Sequence, residues 1–394
     1  DGPGPLPPAL FAGGGFGSLA GVDALILARW DGWEASPVGG GLEADLLGIE
    51  SVSAVPAPIG GIPAGLYVGG EIDTAGGQPV DNLARWLAPD WHGVGGGVTR
   101  PGRLVSHVFA AAVFDSDGAG PLPPELFVGG QFQAAGGAPI ESLARWDGSE
   151  WREVGGGIRS STHPSTQATV FDMVVHDDGR GPALYVGGNF KWAGGLEVNN
   201  IARWNGSVWE PLDRGLDATV ESLCDFDEDG TGPQPPSLFV GGKFSKPSGG
   251  APGTLVQLGR WDGRAWASVG GWASPGTVLD MVVWDQGGPG PARESLYIGG
   301  FFERLPDGTR CNQIARWDGL DWHTLGTGMS STGIGPTVRA LGVFDEDGPG
   351  PNPGGLYVGG LFYGAGAVEA RHIARWGCPL PAQRPCSPDC DGDA

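Results

Sequence analysis

Leu126-Phe127-Val128-Gly129-Gly130, followed by Leu143-Ala144-Arg145-Trp146-Asp147-Gly148-Ser149-Glu150-Trp151, is the passage that decides the fold. Its first half recurs with small changes at 10–14, 66–70, 184–188, 238–242, 296–300 and 356–360. Its second half ends on Trp30, Trp86, Trp146, Trp204, Trp261, Trp317 and Trp376, spaced 56, 60, 58, 57, 56 and 59 residues apart. A strand-rich period of this length belongs to propeller blades, beyond the roughly 20–45 residues of solenoid repeats. Each repeat divides into four short strands, named a to d in chain order. Residues 337–344 exemplify strand a, 126–132 strand b, Ile-Ala-Arg-Trp strand c, and 151–157 strand d. Asp147-Gly148 between the two tryptophans is a short hairpin signal. Strands a and b are apolar on both faces, as sheets packed between two neighbours require. The expectation is an all-β, seven-bladed β-propeller of four-stranded antiparallel blades over residues 1–377, with a Cys/Asp-rich tail over 378–394.

Composition fits that reading. The chain has 76 Gly and 35 Pro in 394 residues, which without a repeat would suggest low complexity. Here the glycines recur at fixed places, as turn and bulge positions do. No run of eighteen apolar residues and no signal peptide is present. Asp1-Gly2-Pro3-Gly4-Pro5 matches the middle of a repeat at Asp117-Gly118-Ala119-Gly120-Pro121, so a processed or cut N-terminus is expected.

The repeat resembles the kelch motif in its double glycine after the second strand, its aromatic-Asp-Gly turn and the tryptophan opening the fourth strand. It departs from kelch in carrying Arg-Trp where that family has Tyr, and in its longer Asp/Pro-rich first loop. It is similar more closely to the Leu-Tyr-Val-Gly-Gly…Ile-Ala-Arg-Trp-Asp-Gly repeats of the yeast cortical polarity-marker family and its bacterial extracellular relatives. The likeness spans 10–376. It implies a secreted or surface-displayed propeller and names no reaction.

Strands b and c occur seven times, but convincing a and d strands only six times each. The first repeat lacks a, and the last lacks d. Three accounts of this incomplete seam stand: short end blades, an irregular edge from 378–388, or a strand supplied by a partner, with self-association as one form of the last.

Formal charge is −22. Much of it lies in a–b loops of the form Asp-x-Asp-Gly, at Asp115 and Asp117, Asp227 and Asp229, and Asp345 and Asp347. Asp147, Asp262 and Asp318 of the c–d turns should share the same edge. Such an edge repels nucleic acid and anionic lipid. The a–b loops resemble the calcium loops of integrin-type propellers, which implies a weak Ca²⁺ site at those six aspartates. Gly-Pro stands where a later acidic ligand should be, and the competing reading is a tight turn whose Asp accepts backbone N–H bonds.

The seven arginines of the repeated Arg-Trp pairs (Arg29, Arg85, Arg145, Arg203, Arg260, Arg316 and Arg375) are expected to face the neighbouring sheet, stacking on tryptophan and bonding carbonyls or carboxylates. The paired tryptophans among the chain's sixteen are expected in the core. Trp33, Trp192, Trp272 and Trp284 break the pattern and are candidates for exposed contacts. The expected ligand-binding set on the d–a face is Arg100, Arg103, Arg159, His163, Trp192 and Trp272.

No catalytic constellation stands out. His92, His107, His163, His176, His323 and His372 have no metal-ligand spacing. No helix follows the Gly-Gly pairs to hold a phosphate, and no sialidase-type Asp box is present. Cys224 reads as a small buried hydrophobe, and Cys378, Cys386 and Cys390 as one disulfide plus a thiol, which points to an extracellular setting. Asp389-Cys390-Asp391-Gly392-Asp393 resembles the opening of a dockerin-type calcium loop. The favoured function is a non-enzymatic extracellular or cell-surface module binding a glycan, polymer or protein. The alternatives are an extracellular polysaccharide hydrolase or lyase, and a self-assembling scaffold completed by a partner strand. Neither nucleic acid nor membrane insertion is expected.

Overall fold

No α-helix occurs among the described residues; every regular element of appreciable length is a β-strand. The computed structural model describes residues 9–377 apart from 20, 25, 45–47, 101–104, 119, 161–166, 231, 233–234, 249–254, 288–293, 332–334 and 346–353. The chain groups into two compact units, Asp1–Val175 with Pro182–Pro211, and His176–Gly181 with Leu212–Ala394. Arg103, His163, Asp347 and the cysteines of the tail lie outside the described residues.

In the first unit, a three-stranded sheet of Leu10–Gly13, Leu27–Trp30 and Ala35–Pro37 precedes three complete sheets. The clearest of these joins His107–Phe114, Glu125–Gln131, Leu143–Trp146 and Trp151–Glu153 in that order. In the second unit, two complete sheets precede a three-stranded one of Thr337–Phe344, Gly355–Leu361 and Ile373–Trp376. Within each of these sheets successive strands a to d pair antiparallel, as the hairpin signals require. Among the described residues the first sheet has no strand a and the last has no strand d.

Packing explains the motif residue by residue. A Cβ on Gly129 would stand 2.4 Å from Val170 Cγ1 of the following sheet, so the first glycine of the pair lets that sheet approach. A Cβ on Gly130 would stand 2.0 Å from the His107 carbonyl oxygen, at the point where strand a bulges between Val108 and Ala110. The tryptophans at either end of the c–d hairpin are register partners, with ring centroids about 5.2 Å apart at Trp146–Trp151 and Trp204–Trp209. The Trp209 indole N–H bonds the carbonyl of Val154 in the preceding sheet at 3.1 Å. Asp147 closes the hairpin by accepting the Ser149 and Glu150 backbone N–H bonds at 2.8 Å each. Those bonds, Glu150's first, hold its carboxyl down at about 2.

The motif arginines do bond carbonyls and carboxylates. Arg85 donates to the Ala64 carbonyl, Arg145 to Glu125 and Arg203 to Glu210, at 2.7, 2.9 and 3.0 Å. The ring beneath Arg203 is Tyr185, its cross-strand partner, and not a tryptophan.

Two-residue ribbons add a second layer of linkage that the sequence reading lacks. Leu42–Glu43 pairs with Thr74–Ala75, Val98–Thr99 with Ala134–Ala135, and Ile158–Arg159 with Trp192–Ala193. Each ties the segment after one strand d to the b–c hairpin of the next sheet.

Candidate functional site

The bulge near the start of each strand a turns one extra side chain out of the regular alternation. Register shifts place Glu50, Phe109, Glu221, Leu279 and Arg339 there, and Phe171 occupies the same place in its repeat. Around these positions the repeats keep a branched aliphatic residue, Ile49 or a valine, and the same double glycine. Here they carry carboxylates, phenyl rings, an aliphatic group and a guanidinium. That divergence within near-identical sheets is the strongest local sign of a site.

In the first unit the bulge residues meet. The nearly buried His107 ring nitrogen Nδ1 lies 2.9 Å from Glu50 Oε2. Its ring stacks on Phe109 at 5.3 Å, and Phe109 meets Phe171 at 5.0 Å in a tilted pair. Both phenylalanines are half-buried. The hydrogen bond to Glu50 raises the His107 pKa against the opposing effect of burial, and the charges of Glu50 and Glu71 add to it while Arg100 subtracts. Glu71 is itself buried, its N–H bonded to the Gly48 carbonyl. The patch therefore combines an aromatic row with an imidazole and two acids, the makings of a polar-ring binding surface.

A raised histidine pKa stabilises the folded state most fully below the unfolded value, and that contribution fades as pH rises through the folded value. An NMR titration of His107 should therefore show a midpoint above 6.5, the ordinary imidazole value, and Glu50→Gln should move it down. A midpoint unmoved by Glu50→Gln would remove Glu50 as the cause.

The residues expected to bind ligand are placed as follows. Arg159 and Trp192 are direct register partners in their ribbon, Arg159 exposed and Trp192 half-buried beneath Lys191 Nζ at 5.7 Å. Arg100 lies half-buried, donating from Nη1 to the Val105 carbonyl at 3.2 Å. Trp272, expected as an exposed contact, is 2% exposed and belongs to the core. It replaces the last glycine of a Gly-Gly-Gly turn, and its ring packs against Phe302 and Trp322 at 5.0 and 4.7 Å. Trp284 is likewise buried, packed at a tilt against Tyr297 with its N–H on the Gly354 carbonyl. Trp33 is exposed.

Among the a–b loops, Asp117 accepts the Leu122 N–H, and Asp227 accepts those of Asp229 and Gly230. Asp115 accepts the Asp117 N–H at 3.3 Å. These are the bonds of a tight turn. Among the described residues no three His, Cys, Asp or Glu side chains are grouped to hold a metal ion.

Glu50, Phe109 and Phe171 are absent from the expected set, and His107 is there only among scattered histidines. Aligning the repeats on their double glycine and the branched aliphatic residue of strand a would have exposed the divergent position, although not which side chains touch.

No known protein family and no curated protein matches the chain. Among solved structures it is similar to the extracellular domain of BT4673 from B. thetaiotaomicron, named once as a one component and once as a hybrid two component system. Identity is 12% and 11%, the TM-score 0.48 in both, and the match covers 89% of this chain but only 35% of that one. A chain of the BBS1N–ARL6DN complex is similar at 13% identity and a TM-score of 0.38, covering 85% of this chain and 81% of that one. At these values nothing about ligand, partner or location transfers.

Proposed function

We propose that the repeats close into a seven-bladed propeller that serves outside the cell as a non-enzymatic binding module, with a glycan as its ligand. The observation that carries the reading is the chemical divergence at the strand-a bulge among sheets otherwise nearly alike. Half-buried Phe109 and Phe171 suit stacking against a sugar ring, and Glu50, Glu71 and His107 suit its hydroxyls. A polymer or protein offering similar rings would use the same surface. Calcium at the a–b turns would bind weakly, since their carboxylates already accept backbone N–H bonds.

A glycan array, run with and without millimolar Ca²⁺, tests the proposal. Saturable binding that falls at least tenfold in Phe171→Ala is the expected result. Binding unchanged in that variant would move the site elsewhere. The second reading, a polysaccharide hydrolase or lyase, rests on the Glu50–His107 pair beside Glu71, and product release abolished by Glu50→Gln would favour it.

A further inference from the structure

One motif arginine of the second unit has no acid beside it. Arg145 and Arg203 bond Glu125 and Glu210, and Arg260 bonds Glu228. These glutamates occupy three different places in the repeat. Glu125 precedes Leu126 of strand b, Glu210 faces Arg203 across the c–d ladder, and Glu228 is second in its a–b loop. At Arg316 none of the three places is acidic. Ser295 precedes Leu296, His323 faces Arg316 in the ladder, and Gln286 follows Asp285 as Glu228 follows Asp227. The Arg316 Nη1 donates to Gln286 Oε1 at 3.2 Å, and among the described residues no carboxylate is paired with it. His323 turns its Nε2 to Asp318 Oδ2 at 2.7 Å.

A cavity of about 260 Å³ opens at that guanidinium, lined also by Trp284, Tyr297, Thr324, Leu325 and Trp376. The Tyr297 hydroxyl is buried and makes no hydrogen bond of good geometry among the described residues. Burial pushes its pKa up to about 12, with the nearby Arg316 opposing the rise and Asp285 adding to it. The Asp285 carboxylate accepts the Gly287 N–H at 3.0 Å and is not among the groups lining the cavity. A half-buried guanidinium without an acid and a buried phenol without an acceptor both gain from the same guest. A carboxylate serves them together, as a charge-assisted acceptor for each.

We propose that this cavity binds a uronic acid, a sugar ring whose carboxylate takes the place at Arg316 that a glutamate holds in other repeats. Arg316 and the Tyr297 hydroxyl receive the carboxylate, the aromatic side chains pack on the sugar ring, and the Thr324 hydroxyl serves a ring hydroxyl. A chain of net charge −22 repels anions at long range, so selection for an acidic sugar has to come from a local cation. All the residues named belong to the second unit, whereas Glu50, Phe109 and Phe171 belong to the first. The site therefore stands independently of the patch at Glu50 and His107.

The test titrates galacturonate and glucuronate into the full chain, with galactose, glucose and sulfate as comparisons, and follows the tryptophan indole N–H signals by NMR. Expected are saturable shifts of the Trp284 and Trp376 signals with at least one uronate, at least tenfold weaker with the neutral sugars and with sulfate. Arg316→Gln should weaken uronate binding at least tenfold. Gln286→Glu is the decisive variant, because it gives Arg316 the carboxylate that Glu228 gives Arg260 and closes the site from within. It should abolish uronate binding without lowering the urea midpoint, and it remains informative should Arg316→Gln fail to fold. Phe171→Ala should leave the uronate titration unchanged, so failure here and failure at the first unit's patch are told apart. No saturation up to tens of millimolar with either uronate overturns the proposal. Equal binding of the neutral sugars or of sulfate does so too, as does full uronate binding in Gln286→Glu.

Discussion

Gly155→Ala is expected to lower the unfolding free energy by about 2–5 kcal/mol, which a urea denaturation series on the full chain would read. Gly155 has φ +53°, in the left-handed region, and that backbone alone costs an L-residue roughly 1–2 kcal/mol. The larger part comes from space. A Cβ there would stand 2.3 Å from Trp204 Cζ3 and 3.0 Å from the Trp209 Nε1, both in the next sheet. Neither ring can retreat: they pack on each other at 5.2 Å, both are about 4% exposed, and Trp209 is held by the Val154 carbonyl. Overpacking of this kind costs roughly 1–3 kcal/mol more. Gly195→Ala is the internal control. It shares the positive φ, at +85°, but has no atom within 4 Å of its added carbon. It should lose only the backbone share, about 1–2 kcal/mol. Equal losses in the two variants would mean that the tryptophan pair does not press on Gly155.

The same contacts show what the sequence could and could not disclose. Strand order was legible because each hairpin is local: Trp146-Asp147-Gly148-Ser149-Glu150-Trp151 carries its own turn, cap and cross-strand pair within six residues. The packing of the paired tryptophans, buried or half-buried, was legible because repetition at every sheet marks a packing role; of the repeated arginines only Arg203 is buried. Trp272 was misjudged because it departs from the repeat, and departure looks alike whether a residue reaches into solvent or fills a local gap. The Glu50–His107 pair was hidden for another reason. Its partners are 57 residues apart in sequence and are joined by the facing of two sheets and a bulge in each, neither of which leaves a periodic trace. The linking ribbons were hidden because two residues are too few to show alternation.

Arg203→Met should cost about 3–5 kcal/mol, the second large effect, measured by the same unfolding series. Arg203 is 2% exposed, and its guanidinium bonds the cross-strand Glu210 at 3.0 Å while lying 6.0 Å above Tyr185. Methionine keeps much of the volume, so the loss reports the charge and its hydrogen bonds more than a cavity. Glu210 would keep the Asn205 amide as a donor, at 2.8 Å, but lose the guanidinium. Glu210→Gln should cost less, because its amide oxygen can still accept from Arg203 and Glu210 is itself partly in water. Replacing both residues by Met and Leu should recover part of the loss, since a buried pair removed together leaves no charge stranded. The exposed pair Arg371–Glu369, with both side chains 72% exposed, sets the baseline, and Arg371→Met there should cost no more than about 1 kcal/mol. An Arg203→Met loss no larger than that baseline would show that the repeated arginine is tolerated at the sheet interface and does not hold it together.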